Sequence, residues 1–412
     1  MDYLTIILTI LIGYYFLDLV VDVLNIRNLS PHLPKEFEGY YDQDKYHKSQ
    51  DYLKETTKFD VVKETLSLGL LIPFILFGGF NWIDQWARGF GQGSIITGLI
   101  FSGALMLASL ILSLPFSIYS TFVIEEKFGF NKTTVKTFIG DLVKEIFLGV
   151  VLGGLLLSIV LWFFGKFDSS AWLYCWAAVT IFQLFLTLIA PVTILPLFNK
   201  FIPLEEGELK TKIEKYANQQ KFQLSGIFKI DGSRRSTKSN AYFTGFGRWR
   251  RIALFDTLIE KHTTDELVSI LAHEIGHCKK KHITSSMIWS IFNMGIMFYI
   301  LSVFLNNEGL FAAFKMEQTS IYASLVFFGF LYTPISWILS IISNVMSRKH
   351  EYEADQFAVT TYHKPESMIS ALKQLSVDNL SNLTPHPLAV FLSYSHPTVL
   401  QRIKAIKNGI KD

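Results

Sequence analysis

Two histidines and a glutamate lie close together in the chain, in an order that suits metal chemistry. His273, Glu274 and His277 form the pattern HEIGH, with the histidines four residues apart. On a helix this spacing puts both rings on one face, where their nitrogens could bind a single zinc ion. Glu274 would lie beside an open coordination position and could act as general base toward a water molecule.

Independent signals predict the helix that this arrangement requires. Residues 263–266 read TTDE, which is a capping-box start, and an apolar face follows at helical spacing. The helix is predicted to run to about Lys280. The alternative is a surface helix that carries two histidines by chance, because a pattern with three fixed positions recurs at random. A third ligand elsewhere in the chain decides between the two.

The segment SRKHEYEADQFA offers that ligand, about 75 residues further along. Glu351 is the candidate, and Asp355 follows it by four residues on a predicted helix. One carboxylate could therefore bind the metal while the other orients a ligating histidine. The alternative is a solvated run of charges at the end of a membrane helix, and we assign Glu353 to such a run.

Other side chains near these motifs could compete as ligands. His350 adjoins the candidate glutamate. His282 ranks lower, because nine residues along an ideal helix would place it nearly opposite His273. Cys278 directly follows HEIGH, but its helical position points away from both histidines, so we expect it to fill space. With Cys175 inside an apolar block, no disulfide is expected.

The elements that position these residues must be membrane helices for much of the chain. Half of the 412 residues are hydrophobic and 18% are charged, which is too apolar for an ordinary soluble protein. A net charge of +3 makes no case for nucleic acid as a partner. Crossing a bilayer takes roughly 20 helical residues. Blocks of that length lie near 3–24, 65–86, 95–122, 143–165, 170–198, 284–305 and 319–345.

The distribution of basic residues predicts the orientation of these seven blocks. Lys and Arg are sparse in the loops after blocks two, four and six, where Arg88, Lys166 and Lys315 represent them. The alternate loops and the C-terminal segment hold nearly all the others. Because cytosolic loops carry the excess of basic residues, the N-terminus is expected outside and the C-terminus in the cytosol.

The expected fold is mainly α, a multi-spanning membrane protein with a small α+β domain at the cytosolic face. The stretches FKID, NAYFTG and RIALFD predict a small sheet before HEIGH. The chain divides into four parts: 1–198 with cytosolic loops at 25–62 and 123–141, then 199–283, 284–345 and 346–412. The first part contains five of the apolar blocks, the second contains HEIGH, the third contains the other two blocks, and the last supplies the third ligand.

Taken together, the motifs resemble the type 1 CAAX prenyl proteases, a family of integral-membrane zinc metalloproteases with the gluzincin-type HExxH pattern. Besides HEIGH, the likeness includes FVIEEKFGFNKTT at 122–134 and SNAYFTGFGRWRRIALFDTLI at 239–259. It extends to NVMSRKHEYEADQFA at 344–358 and SHPTVLQRIKAI at 395–406. The resemblance implies that seven membrane helices form an α-barrel around a water-filled chamber. One zinc ion per chain would lie at its cytosolic end.

The resemblance also implies roles for individual residues. His273, His277 and Glu351 match the zinc ligands, Glu274 the general base, and Asp355 a partner of a ligating histidine. A further set would hold the substrate and the carbonyl oxygen that becomes negatively charged, and Arg348 would support the site. That set consists of Asn240, Ala241 and Tyr242 in SNAY, with His396 and Arg402 in SHPTVLQR. From the residues alone, these could equally be ordinary strand and surface positions.

The expected activity is zinc-dependent cleavage of C-terminal tripeptides from CAAX-type prenylated proteins, or of similar peptides, within a lipid bilayer. A membrane-protein quality-control protease is the alternative. A transporter or channel is less favoured, because a structural zinc site would normally have four protein ligands. The compact spacing before HEIGH favours a bacterial inner membrane, and the endoplasmic reticulum membrane is expected in a eukaryotic host. The sequence predicts no oligomeric state.

Overall fold

The computed structural model describes residues 2–244 and 250–409. Two predictions fall partly outside this range, namely GFGRW at 245–249 within the motif 239–259 and the end of the C-terminal segment. The helices are α1 (Tyr3–Arg27), α2 (Gln43–Leu76), α3 (Gly79–Arg88), α4 (Ser94–Tyr119), α5 (Val135–Leu148), α6 (Gly154–Lys166), α7 (Ala171–Thr193), α8 (Leu195–Phe198), α9 (Glu208–Gln219), α10 (Asp256–Lys261), α11 (Thr264–Lys279), α12 (His282–Phe304), α13 (Glu308–Ala313), α14 (Ile321–Tyr362), α15 (Pro365–Asp378), α16 (Pro387–Ser393) and α17 (Val399–Gly409). The strands are β1 (Phe201–Pro203), β2 (Gly226–Ile230), β3 (Ala241–Thr244) and β4 (Arg251–Phe255).

The apolar blocks form long helices, which confirms the expected mainly α membrane fold. Within the described residues, six helical stretches are long and apolar enough to cross a bilayer. The pair α2 and α3, bent by 65° at its break, brings the number to seven if it counts as one span. The break lies at Gly78, whose φ of 73° is in the left-handed region that favours glycine.

Two of the spans extend well beyond a bilayer thickness into the polar segments. The predicted loop 25–62 is helical from Gln43 onward, where the Asp42 side chain accepts a hydrogen bond from the backbone N–H of Lys45. At the other end of the chain, α14 has 42 residues and therefore a length of about 63 Å. The last turns of α14 are polar and contain Glu351 and Asp355, which therefore lie beyond the apolar membrane-spanning part of the helix.

A small sheet lies beside the helical HEIGH segment, as predicted. Its strand order is β1-β2-β4-β3, with β2 and β4 parallel and both outer strands antiparallel to their neighbours. The loop after α4 holds the chain that leads into β3, because Lys132 N–H donates to Arg235 O and Thr237 N–H donates to Phe130 O. Lys238 also pairs with Glu125 at 2.9 Å. These contacts connect the motif at 122–134 to the segment that leads into SNAY and strand β3.

The HEIGH helix α11 is buried between this sheet and the last turns of α14. Thr263 and Glu266 form the predicted capping box at its start. The buried apolar residues of α11 share one core with α9 and the sheet: Leu267, Val268, Ile270, Leu271, Ala272 and Ile275 with Ile213, Tyr216, Ile252 and Leu254. A 16-residue helix is only marginally stable on its own, so the burial of this face supplies most of its stability.

Gly276 allows α11 and α14 to approach each other closely. A Cβ atom at this position would lie 3.2 Å from the backbone Cα and O of Ala354. Only a residue without a side chain fits there without displacing backbone. The contact brings two segments about 75 residues apart in sequence together at their polar residues.

Candidate metal centre

Three ligating atoms converge where α11 crosses α14. His273 Nε2 and His277 Nε2 are 3.0 Å apart. The Glu351 carboxylate completes the triangle, with Oε1 3.2 Å from His277 Nε2 and Oε2 3.4 Å from His273 Nε2. Tetrahedral ligands about 2.0–2.1 Å from a zinc ion are about 3.3 Å from one another, so the spacing fits this metal.

The burial of the triangle also fits a cation. The Glu351 side chain is 5% exposed, and its Oε2 accepts no hydrogen bond from any described residue. Nη1 of Arg402, 3.3 Å away, is the nearest charge of opposite sign. A buried carboxylate oxygen without a hydrogen bond is costly unless a cation binds it. Two imidazoles and one carboxylate are a ligand set of catalytic zinc sites.

Asp355 lies behind His273, one helical turn after Glu351. Its Oδ1 is 2.8 Å from His273 Nδ1, the ring nitrogen that faces away from the other ligands. Burial lowers the pKa of His273, but the neighbouring carboxylates of Asp355 and Glu351 outweigh this effect and raise the pKa to about 9. A proton on this ring would have to leave when a metal binds.

Arg402 of α17 closes the same side of the centre. Its Nε and Nη2 donate to the two carboxylate oxygens of Asp355 at 2.8 and 2.6 Å. The guanidinium therefore holds Asp355 in a bidentate pair, while Nη1 faces Glu351. The structure thus gives Arg402 direct contacts with the carboxylates, in addition to its place on the wall of the cleft.

His277 has its own polar neighbours on the far side. His282 is not among the converging ligand atoms, but it lies beside His277 and not where an uninterrupted helix would place it. Helix α11 ends at Lys279 and the chain turns, so His282 begins α12 and places its Nδ1 3.1 Å from His277 Nδ1. Glu353 is not simply part of a solvated run either. Its Oε2 is 3.0 Å from His282 Nε2, and the His350 ring stacks on His282 at 4.1 Å.

A cleft of about 510 Å³ opens in front of the three ligands. Glu274 lies on its wall, next to His273 and His277. Asn240 and the first two residues of β3, Ala241 and Tyr242, border the cleft at one edge of the sheet that the described residues form. The remaining wall is mostly apolar and comes from helices α10, α11 and α15: Leu258, Ile270, Met368, Ala371, Leu372 and Leu375.

His396 reaches the cleft from the chain between α16 and α17. Its side chain is 62% exposed, and its Nε2 is 3.5 Å from Glu351 Oε1. In the described part of the chain, no hydrogen bond or ion pair joins the Arg348 side chain to the three ligands. Instead, its Nη1 donates to the carbonyls of Val390 and Tyr394 at 3.0 and 2.5 Å. Arg348 therefore anchors the segment that carries His396 to α14.

Cys278 lies away from the converging atoms, as its helical position predicts. Its side chain packs against the core beneath α11, and burial raises its pKa to about 11. Its sulfur is not among the ligating atoms that converge in the described residues.

Glu351 lies on α14, which continues from a membrane span, and both histidines lie on the adjoining helix α11. With Glu274 facing the cleft beside them, the site defines a membrane-embedded metallopeptidase. Residues 203–410 match Peptidase family M48, and residues 22–200 match the family described as CAAX prenyl protease N-terminal, five membrane helices. The chain belongs to peptidase family M48. The resemblance predicted from the motifs is therefore confirmed.

Relatives of established name match nearly the whole chain. It is 36% identical over 400 residues to CAAX prenyl protease 1 of Saccharomyces cerevisiae, covering 91% of this chain and 88% of the relative. It is 36% identical to the CAAX prenyl protease 1 homolog of Arabidopsis thaliana, covering 96% and 95%. The crystal structure of S. mikatae Ste24p superposes with a TM-score of 0.94 at 34% identity, covering 98% of this chain and 99% of that one.

Proposed function

We propose that this chain is a zinc endopeptidase that removes C-terminal tripeptides from CAAX-type prenylated proteins or similar peptides. One observation carries the proposal. His273, His277 and Glu351 converge at zinc-like spacing beside Glu274 and an open cleft. The names and near-complete coverage of the relatives support the substrate class.

The ligands would hold one zinc ion, which when bound would polarise the scissile carbonyl and lower the pKa of a water molecule beside it. As the water oxygen attacks the carbonyl carbon, Glu274 would take a proton from the water. Glu274 would then donate this proton to the leaving amine. Asp355 would hold His273 through its distant nitrogen, and Arg402 would hold Asp355. These contacts keep the ligand geometry fixed during the reaction.

The walls of the cleft suggest how a peptide would be positioned. Strand β3 lies at the edge of the sheet that the described residues form, so an extended substrate could pair with its outer backbone groups. Asn240 and His396 are exposed, line the same cleft, and could donate hydrogen bonds to the carbonyl oxygen as negative charge develops. The apolar wall from α15 would suit the aliphatic residues of a CAAX tripeptide.

The membrane arrangement belongs to the same proposal. Seven spans with the basic loops on one side would place the metal centre and the C-terminus in the cytosol, with the N-terminus outside. The spans would enclose a water-filled chamber that opens at the metal. In a bacterial host the membrane would be the inner membrane, and in a eukaryotic host that of the endoplasmic reticulum.

Peptide mapping tests the substrate. Purified protein is incubated with a farnesylated and an unfarnesylated CAAX peptide of the same sequence, and the products are identified by mass spectrometry. We expect release of the intact C-terminal tripeptide, faster from the farnesylated peptide, and none after zinc is removed by a chelator. Cleavage at scattered positions, regardless of the lipid, would instead support a quality-control protease.

A further inference from the structure

Both ligating histidines need a hydrogen-bond partner at Nδ1, the ring nitrogen that faces away from the metal position. A histidine that binds a metal through Nε2 carries its proton on Nδ1, and a hydrogen bond from that N–H fixes both the tautomer and the ring orientation. For His273 the acceptor is Asp355 at 2.8 Å. On His277, the corresponding nitrogen faces the Nδ1 of His282 at 3.1 Å.

The second contact of His282 decides which of these nitrogens holds the hydrogen. His282 Nε2 is 3.0 Å from Glu353 Oε2. A carboxylate only accepts, so Nε2 carries the hydrogen and donates it to Glu353. The neutral ring then has a lone pair on Nδ1, which accepts from His277 Nδ1–H. His277 Nε2 is left with its lone pair facing the metal position.

The local fold holds His282 in this place. Helix α11 stops at Lys279, and Lys281 adopts the left-handed conformation with φ of 60° before α12 starts. The His282 side chain is 5% exposed, and the ring of His350 lies parallel to it at 4.1 Å. The ring therefore cannot turn away from His277 without losing a stacking contact and two hydrogen bonds.

We propose that Glu353 and His282 form a relay that positions His277 for zinc, as Asp355 does for His273. This inference rests on the proposed zinc function and adds two positioning residues to it. Neither residue belongs to the converging ligand set or to the lining of the cleft. The relay sets the tautomer of His277 and holds its ring, so its loss should weaken zinc binding by about 10–100-fold.

Three substitutions of His282 separate the relay from simple packing. The amide oxygen of His282→Asn can take the place of Nδ1 and accept from His277. The amide nitrogen of His282→Gln can take the place of Nε2, which keeps the contact with Glu353 but leaves His277 without an acceptor. His282→Phe keeps the stacking on His350 and removes both hydrogen bonds. We expect near wild-type zinc affinity for the Asn variant and about 10–100-fold losses for the other two.

Zinc dissociation constants are measured on the full-length protein in detergent, by competition with a chelating dye, after thermal unfolding has shown that each metal-free variant is folded. Glu353→Ala should lose affinity, whereas Glu353→Gln should keep most of it, because its amide oxygen still accepts. Lys349→Ala is the control, since that side chain is 78% exposed and its Nζ is 3.9 Å from Glu353. The absorption spectrum of the cobalt-loaded protein should change with His282→Phe and not with Lys349→Ala.

The ranking of the His282 variants decides the result. Equal zinc affinity for the wild type and His282→Phe, or equal losses for the Asn, Gln and Phe variants, would overturn the relay. These measurements do not depend on peptide cleavage. Wild-type protein that binds zinc but releases no tripeptide would contradict the proposed function and leave the ranking readable, whereas wild-type protein that binds no zinc would contradict both.

Discussion

At the scale of single residues, Glu274 separates metal binding from the chemistry of cleavage. It is adjacent to His273 in sequence but is not one of the converging ligand atoms. It lies on the wall of the cleft, where a peptide and a water molecule would meet. Its role can therefore be tested without removing a ligand.

The first prediction concerns the substitution Glu274→Gln. The amide cannot take a proton from water, so turnover should fall by about 10²–10⁴-fold while zinc content stays at one ion per chain. Metal analysis and peptide turnover are measured on the same sample. Glu260→Gln, at an exposed position of α10, should change neither. Glu274 would not be the base if its variant kept more than a few per cent of activity at full zinc occupancy.

A second prediction ranks the residues around the metal. His273→Ala, His277→Ala and Glu351→Ala each remove a ligand and should abolish tight zinc binding. Asp355→Ala removes only a partner of His273 and should weaken zinc binding by about 10–100-fold. Chelator competition measures the order. A loss of metal from Glu353→Ala with none from Glu351→Ala would show that the carboxylates have been assigned the wrong way round.

The ligating residues could be proposed from the sequence, whereas the support for His277 could not. The residues of HEIGH, and Glu351 with Asp355 in HEYEADQ, have fixed spacings on predictable helices. Helical geometry therefore predicts which side of each helix they occupy. The sequence predicts the end of α11 to within about a residue of Lys279, but not the direction that the chain takes after it. The role of His282 depends on that direction, and no Gly or Pro marks the turn. Instead Lys281, a non-glycine residue, adopts the left-handed conformation, and the stop is stabilised by contacts distant in sequence.

At the scale of elements, the crossing of α11 and α14 determines whether the three ligands meet. Gly276 is between Glu274 and His277, and it packs against the backbone of Ala354. The same glycine therefore belongs to the HEIGH motif and to the helix contact. Any change in the helix separation moves the histidines relative to Glu351.

A third prediction follows for Gly276→Val. The added methyl groups would overlap the backbone of Ala354, which cannot move as a flexible side chain could, and overpacking of this kind typically costs about 1–3 kcal/mol. We expect weaker zinc binding and a lower thermal unfolding temperature. Gly329→Ala on α14 is the control, because nothing lies within 4 Å of the added Cβ. Unchanged zinc affinity in Gly276→Val would show that the helix separation does not set the ligand geometry.

Much of the architecture at this scale was predictable, with informative exceptions. Apolar blocks of about 20 residues indicate the spans whatever surrounds them. The bend between α2 and α3 depends on the left-handed Gly78 and on packing, and the sequence does not distinguish this glycine from those that lie in straight helices. The helical half of the segment 25–62 was missed because its charged residues are typical of a loop as well as of a solvated helix.

At the scale of the whole molecule, mechanism requires that distant segments meet on one face of the membrane. The sheet, α11, the end of α14 and α17 all contribute to one cleft, although long spans separate them in the sequence. The distribution of basic residues among the loops predicts that these parts face the cytosol. The orientation is therefore part of the mechanism and can be tested separately from cleavage.

The fourth prediction concerns this orientation. Single cysteines at the exposed positions Glu205 and Asn408, in a Cys175→Ala, Cys278→Ser background, should react with a membrane-impermeant thiol reagent only after the cytosolic face is opened. A cysteine at Gln92, in the loop after Arg88, should react in intact cells. Labelling of Glu205→Cys from outside would put HEIGH on the opposite face, and the cytosolic protease would have to be abandoned.

The central claim, that the folded chain builds one zinc site from His273, His277 and Glu351, is tested most directly by X-ray absorption at the zinc edge of the purified protein. The account predicts one zinc per chain with nitrogen and oxygen neighbours at about 2.0–2.1 Å, a multiple-scattering pattern from two imidazoles, and no sulfur. The spectrum of Cys278→Ser should be the same. A sulfur neighbour at about 2.3 Å, or a single imidazole, would contradict the account.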